Sequence, residues 1–140
     1  MTATDLAIRL ANAFGDADAI GALLAEDARW HLPFSAREHL NVDAKGRPAI
    51  DANMRIAFGG VYEPGSVVVA VQDAFGTSER AVVRLVLTAT VSAAASGGLR
   101  PKYENEYVLI VHTRDGMISE VWEHVDVAWA HAQFRGEAAG

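Results

Sequence analysis

The period of the hydrophobic pattern changes near the middle of the chain, and this change most constrains the fold. Up to Gly59-Gly60 apolar residues recur at helical spacing, and beyond it they alternate as in β-strands. The first half predicts three helices, the third starting at Gly46-Arg47-Pro48, where the missing N–H of proline costs nothing. The second half predicts four strands. Helices followed by strands indicate an α+β fold, with helices on one face of a mostly antiparallel sheet.

The remaining segments complete this arrangement. Residues 29–34 alternate and predict a strand between the second and third helices, whereas residues 35–45 are polar and predict a loop long enough to line a site. Residues 93–98 predict a mobile connection, residues 127–134 have helical composition, and residues 135–140 predict a frayed tail. We expect a conical barrel in which the curved sheet wraps around three N-terminal helices. The hollow inside this cone is the expected ligand-binding pocket.

Composition limits the classes of function. The 140 residues predict one domain, residues 1–140, and 51% of them are hydrophobic, which is enough for a sizeable core. A net charge of -6 argues against a nucleic-acid partner. The absence of cysteine excludes disulfides and thiol chemistry and fits a cytoplasmic protein. We expect no signal peptide and no membrane span, because the N-terminus and the apolar runs lack the required patterns.

One carboxylate interrupts an apolar row on the last predicted strand. Asp115-Gly116 predicts the tight turn before this strand. Its two faces carry Val121, Glu123, Val125 and Val127 on one side and Glu120, Trp122, His124 and Asp126 on the other. If the valine row faces a cavity, burial raises the pKa of Glu123 and makes it a general acid or base. The alternative is a partly exposed strand on which Glu123 meets an arginine or water.

Three further charged or titratable residues are candidates for the same chemistry. Glu106 lies on the neighbouring strand, and a second carboxylate beside Glu123 would separate their two pKa values. Arg84, on a strand of valine and leucine, requires a carboxylate partner if it is buried, and Glu123 and Glu106 are the candidates. His31 is a possible base at neutral pH, although alternation places it opposite Trp30, which favours a surface role.

Large apolar side chains predict a site for a small hydrophobic substrate, with simple core packing as the alternative. The candidate binding residues are Trp30, Leu32, Phe34, Met54, Phe58, Val108 and Val125. The histidines do not have a recognisable metal-ligand spacing, and there is no phosphate-binding glycine loop or flavin or nicotinamide fingerprint. We therefore expect no metal and no cofactor.

Local motifs, taken in order, resemble a known family. They are Trp30-His31-Leu32-Pro33-Phe34, Gly46-Arg47-Pro48-Ala49-Ile50, Tyr103-Glu104-Asn105-Glu106-Tyr107, Asp115-Gly116-Met117-Ile118 and Trp122-Glu123-His124-Val125-Asp126. Their order and spacing are similar to the SnoaL-like and ketosteroid-isomerase-like branch of the nuclear transport factor 2-like superfamily. The resemblance covers nearly the whole chain and implies its conical fold. It does not select one activity, because this fold carries many.

The resemblance is informative where family residues are absent. The catalytic aspartate, the oxyanion tyrosine and the protonated aspartate of ketosteroid isomerases fall near Leu32, Ile8 and Val108, which are apolar. The Arg-x-Asp of limonene-epoxide-hydrolase-like enzymes corresponds to Arg84-Leu85-Val86, which lacks the aspartate. The A and B proteins of phenazine biosynthesis share the Tyr-Glu-Asn stretch and a last-strand glutamate that matches Glu123. This match implies that Glu123 faces the pocket.

We therefore expect a cofactor-independent isomerase, cyclase or dehydratase that acts on a small hydrophobic metabolite containing a carbonyl group. Glu123 would move the proton, and Arg84 or a nearby tyrosine or histidine would stabilise the enolate. The alternatives are an epoxide hydrolase and a non-catalytic binding or assembly module. We also expect a homodimer through the outer face of the sheet, because Trp122 and His124 lie opposite the pocket.

Overall fold

Five α-helices and six strands build the protein in a computed structural model that describes residues 1–137. The helices are α1 (Ala3–Ala13), α2 (Ala17–Leu23), α3 (Arg47–Ile56), α4 (Ala93–Ser96) and α5 (Val127–Phe134). The strands are β1 (Leu24–Leu32), β2 (Val42–Lys45), β3 (Val68–Gly76), β4 (Arg80–Thr90), β5 (Lys102–Arg114) and β6 (Met117–Val125). A 3-10 turn (Glu38–Leu40) precedes β2, and a π-helical turn (Ala57–Val61) extends α3.

The strands form one mixed sheet in the order β2-β1-β6-β5-β4-β3. The pair β1–β6 is parallel, with Trp30 opposite Val121, and the other neighbours are antiparallel. Strands β2 and β3 lie at the two edges, so the sheet is open rather than closed into a barrel. The predicted α+β class is confirmed. The predicted barrel is not, because the sheet is open.

Helix α1 begins with a reciprocal pair of caps between Thr2 and Asp5. The Thr2 hydroxyl accepts from the Asp5 backbone N–H at 3.1 Å, and the Asp5 carboxylate accepts from the Thr2 N–H at 3.0 Å. Asp5 is therefore the third helical residue of a capping box. The buried face of α1, which includes Leu6 and Leu10, packs on β3 and β4.

A one-residue bulge in the β5–β6 hairpin sets which side chains face the core. The turn pairs Arg114 with Met117 and Thr113 with Ile118, but His112 pairs with Glu120, which leaves Ser119 as the extra residue. Without this bulge, the register would place Glu123 opposite Val108. With it, Glu123 lies opposite Leu109. The side chains that share a face with Glu123 are therefore the buried, odd-numbered residues of β5.

Three segments differ from their predictions. Residues 35–45 contain the 3-10 turn and the edge strand β2 rather than only a loop. The strand predicted at residue 29 starts at Leu24, directly after α2, and residues 93–98 contain α4. The helix predicted at residues 127–134 is confirmed as α5. Of the predicted tail, residues 138–140 lie outside the described part of the chain.

The described residues contain no helix long and apolar enough to cross a membrane.

Candidate active site

A cavity of about 340 Å³ lies between the inner face of the sheet, α3 with its π-helical turn, and α5. Aliphatic and aromatic side chains make up most of its wall. Five of the seven predicted binding residues line it: Trp30, Leu32, Met54, Phe58 and Val125. This volume lies at the lower end of the range for small-molecule sites.

Glu123 lines this cavity from near the C-terminal end of β6, two residues before the strand ends at Val125. The Trp30 indole N–H, on the adjacent strand β1, donates to Glu123 Oε1 at 2.8 Å. Glu123 as a whole residue is half-buried, and its carboxyl group is enclosed by protein. Burial raises the pKa of Glu123 from 4.5 to about 7, and the hydrogen bond from Trp30 opposes this rise.

Three tyrosines lie on the wall of the same cavity. The hydroxyl oxygens of Tyr103 and Tyr107 are 2.6 Å apart, and the Tyr62 ring centroid lies 5.1 Å from that of Tyr103. Burial raises the pKa of Tyr62 and of Tyr107, and the nearby Glu123 charge adds to this effect in both. The Tyr62 and Tyr107 hydroxyls therefore keep their hydrogens over the physiological pH range and are available as donors.

Aromatic rings hold the Glu123 side of the cavity in place. Phe14 packs against Trp30, Phe58 and Tyr107 at centroid distances of 6.1, 5.9 and 6.2 Å. Phe134 of α5 stacks on Tyr103 at 5.5 Å. Phe14 directly follows α1 and packs on the Trp30 ring whose N–H donates to Glu123. The end of α1 therefore helps to orient the carboxylate through Trp30.

This arrangement can transfer a proton near neutral pH. A carboxyl with a pKa of about 7 is divided between its acid and base forms at pH 7. Phenolic hydroxyls beside it can stabilise negative charge that develops on an oxygen, and the apolar wall strengthens that interaction.

Glu106 and Arg84 lie on the opposite face of the sheet. They form an ion pair with 3.7 Å between Arg84 Nη1 and Glu106 Oε2, and their side chains are 47% and 53% exposed. The prediction that Glu106 lies beside Glu123 is wrong, because the bulge at Ser119 moves Glu123 into register with Leu109. Of the two carboxylate partners predicted for Arg84, the structure selects Glu106. Val108 belongs to this outer face too, opposite Arg84, and does not line the cavity.

His31 also lies outside the cavity. Its Nε2 is 2.6 Å from Glu120 Oε2, its Nδ1 is 3.4 Å from Asp43 Oδ1, and its ring stacks on Trp122 with centroids 5.1 Å apart. The placement opposite Trp30 agrees with the surface role that alternation favoured. His31 does not line the cavity, so the less favoured of its two predicted roles, a base acting on a substrate there, is not supported.

Phe34 lies beyond the end of β1 and does not line the cavity. Its side chain is 46% exposed, and its backbone N–H donates to Asn41 Oδ1 at 3.0 Å. The strand was predicted to continue to Phe34, but β1 ends at Leu32, so Phe34 does not follow the inward face of the strand.

Sequence reasoning did not select the tyrosines or His131, which is exposed at the cavity wall. Two of the tyrosines could have been predicted to face inward, because Tyr103 and Tyr107 alternate with charged residues along β5. Tyr62 follows the π-helical turn, where no periodic pattern predicts a direction.

The described residues hold no cluster of three or more His, Asp or Glu side chains arranged for a metal ion.

The sequence matches a family model described as the SnoaL-like domain over residues 8–121. No curated protein matches the chain.

Solved structures share the fold at low sequence identity. A Xanthomonas campestris protein provisionally named a polyketide cyclase has a TM-score of 0.74 and 22% identity, over 94% of this chain and 96% of that one. A phenazine biosynthesis-related protein of Pseudomonas aeruginosa has a TM-score of 0.79 and 14% identity, over 99% of this chain and 87% of that one. A Catenulispora acidiphila protein with a ketosteroid isomerase-like fold was solved in complex with trimethylamine. It has a TM-score of 0.75 and 15% identity, over 98% of this chain and 96% of that one. At these identities the similarity concerns the fold alone.

Proposed function

Since this chain belongs to the SnoaL-like domain family, we propose that it is a cofactor-independent isomerase, cyclase or dehydratase. Its substrate would be a small hydrophobic metabolite that contains a carbonyl group, and Glu123 would be its general acid–base. The observation that carries this proposal is a buried carboxyl with a pKa of about 7 in an apolar cavity. The names of the polyketide cyclase and ketosteroid isomerase-like neighbours are consistent with it.

The proposed chemistry begins with ionised Glu123. Its carboxylate takes a proton from the carbon next to the carbonyl, so the C–H bond breaks and its electron pair moves to the carbonyl oxygen as an enolate. A tyrosine hydroxyl on the cavity wall donates a hydrogen bond to that oxygen. Protonated Glu123 then returns the proton, either to another carbon in an isomerisation or to a leaving hydroxyl, which departs as water.

Glu123 fits this role because its environment favours neither protonation state strongly at neutral pH. Desolvation favours the neutral acid, while the Trp30 indole N–H stabilises the carboxylate. An ideal catalytic pKa lies near the working pH, where the group can both accept and return a proton. We also propose that the sheet curves around a conical hollow, the part of the predicted conical barrel that does not require a closed sheet, which would separate the reaction from bulk water.

Two-carboxylate activation of water, as in the epoxide hydrolase alternative, is not favoured. Among the described cavity-lining residues Glu123 is the one carboxylate, and Glu106 lies on the other face.

We retain the homodimer through the outer sheet face and the cytoplasmic location as parts of the proposal. On that face, Trp122 packs between His31 and His112 with centroid distances of 5.1 and 4.7 Å.

The test is exchange of α-protons for deuterium in a panel of hydrophobic ketones and 1,3-diketones, followed by proton NMR in D2O. We expect the wild-type protein to exchange at least one panel member faster than buffer alone. Glu123→Gln keeps the shape of the side chain but cannot carry the proton, so exchange should fall at least about a hundredfold. Glu104→Gln is the matched control, because Glu104 is exposed on the outer face, and its rate should be close to wild type.

A wild-type exchange rate in a folded Glu123→Gln variant would rule out this mechanism. Ligand binding by the wild-type protein without exchange of any panel member would instead support the non-catalytic binding module.

A further inference from the structure

A buried amide anchors one end of a hydroxyl chain at the cavity wall. Asn105 is 7% exposed and lies on β5 between Tyr103 and Tyr107. Its Oδ1 accepts from the backbone N–H of Glu106 at 3.0 Å, and its Nδ2 donates to the backbone carbonyl of Asp126 at 3.0 Å. A backbone N–H only donates and a carbonyl only accepts, so these two contacts fix which end of the amide is the donor.

The fixed amide determines the direction of the next hydrogen bond. Nδ2 of Asn105 lies 3.3 Å from the Tyr103 hydroxyl oxygen, which must therefore accept. The Tyr103 and Tyr107 oxygens are 2.6 Å apart, and either one has suitable geometry to donate. Tyr103 is 1% exposed, and within residues 1–137 the acceptor for its own hydrogen is Tyr107. The opposite direction would bury that hydrogen without a partner, which carries a desolvation penalty.

Tyr107 is consequently an acceptor from Tyr103. Its own hydrogen is left for a ligand or for the Tyr62 hydroxyl, with which Tyr107 also interacts. Tyr107 lines the cavity, so that hydrogen is available to a molecule inside it. We infer that Asn105 is a positioning residue that directs the Tyr103–Tyr107 chain so that the Tyr107 hydroxyl donates to a ligand carbonyl oxygen. Burial raises the pKa of Tyr107, which keeps the donated hydrogen in place. This inference deepens the proposed function, on which it rests, by naming the group that meets the carbonyl.

The direct test compares two probes of nearly equal size that differ in hydrogen bonding. Acetophenone has a carbonyl acceptor, whereas ethylbenzene has none. Their dissociation constants are measured by NMR titration of the intact protein, and the ratio of the two constants is compared between variants. The free energy of removing the ketone from water is the same for every variant, so it cancels in this comparison. Tyr107→Phe should reduce the relative affinity for acetophenone about five- to tenfold, the scale of one net hydrogen bond.

Asn105→Asp tests the direction of the chain while retaining Tyr107. The measurement is made at a pH high enough to ionise the introduced carboxyl, because burial favours its protonated form. The carboxylate can only accept, so Tyr103 should donate to it, Tyr107 should donate to Tyr103, and the hydrogen directed into the cavity is lost. The affinity ratio should fall as far as in Tyr107→Phe. If Asn105→Asp does not fold, Asn105→Leu removes the donor, populates both directions and should give a smaller fall in the same ratio.

A spectroscopic measurement separates this role from general loosening. The carbonyl stretch of bound acetophenone should lie at lower frequency in the wild type than in Tyr107→Phe or Asn105→Asp. Gln133→Leu is the control, because Gln133 also ties α5 to β5 through the Glu104 backbone, at 2.8 and 3.0 Å, but does not touch the hydroxyl chain. It should lower stability and leave the stretch and the affinity ratio unchanged.

Three results would overturn the inference. The first is an unchanged affinity ratio in folded Tyr107→Phe or Asn105→Asp. The second is an equal fall of the affinity ratio in Gln133→Leu. The third is loss of the preference for acetophenone in Tyr62→Phe but not in Tyr107→Phe. The probes are read by binding, without turnover. A ketone preference that depends on Tyr107, in a protein that exchanges no α-proton, would therefore contradict the proposed function and leave this inference standing.

Discussion

Replacing Glu123 with glutamine should change how the stability of the protein depends on pH. In the folded state burial raises the pKa of Glu123 to about 7, from an ordinary value of 4.5 that also describes the unfolded chain. The folded protein therefore holds this proton more tightly than the unfolded chain does. The wild-type protein gains its full share of stability from the group below pH 4.5 and loses it as the pH rises to about 7.

The size of the effect follows from the difference between the two pKa values. The interval from 4.5 to about 7 is about 2.5 units. At about 1.4 kcal/mol per unit, the buried carboxylate should cost about 3 kcal/mol of unfolding free energy above pH 7. That is a large fraction of the roughly 5–15 kcal/mol that stabilises a typical domain. Glutamine does not titrate, so the variant does not have this loss.

The assay is equilibrium unfolding in urea from pH 4 to pH 9 for the wild type and Glu123→Gln. The informative quantity is the difference between their unfolding free energies at each pH, because the titration of all other carboxylates cancels in it. Relative to its value at pH 4, this difference should move by about 3 kcal/mol in favour of Glu123→Gln at pH 8. Glu104→Gln, with the same chemical change at an exposed position, should give a nearly flat difference.

Parallel stability curves for the wild type and Glu123→Gln would refute the reasoning. They would mean that the folded protein and the unfolded chain bind the Glu123 proton equally well. The carboxyl would then be solvated, and its suitability as an acid–base at neutral pH would have no physical basis.

Two further predictions concern the partner of Glu123 and the outer face. Trp30→Phe removes the indole N–H that lowers the pKa of Glu123, so the pH midpoint of α-proton exchange should move upward, and a midpoint that moves downward would contradict this assignment. A homodimer should appear in sedimentation at tens of micromolar protein, and Trp122→Glu on the outer face should shift it to monomer. A wild-type monomer at that concentration would count against the proposed interface.

Much of the fold could be predicted because its elements have strong local patterns. Long alternating strands such as β4 and β5 and the amphipathic α1 each bury one regular face. The edge strand β2 was missed because only Ala44 in it is buried, so its sequence has the polarity of a loop. The parallel pairing of β1 with β6 joins segments that are distant in sequence, and no local pattern encodes it.

The position of Glu123 was predictable, but its neighbours were not. The valine row on β6 identifies the inward face of that strand without reference to any other. The residues opposite Glu123 depend on register, and the extra Ser119 shifts that register by one. Because side chains alternate, a shift of one residue exchanges the whole set. This is why Glu106 was expected beside Glu123 and why Tyr107 was not selected.

Glu123 and Asn105 both interrupt apolar rows, and their hydrogen bonding differs as we expect for the proposed reactive residue and the proposed positioning residue. Asn105 uses both Nδ2 hydrogens and its Oδ1, so its burial is compensated and its orientation is fixed. Within the described residues, Glu123 receives one side-chain hydrogen bond, from Trp30, although a carboxylate can accept about four. The unsatisfied capacity faces the cavity. A carboxylate in that state gains from taking up a proton, and in the proposed reaction the carbon next to a bound ligand's carbonyl supplies it.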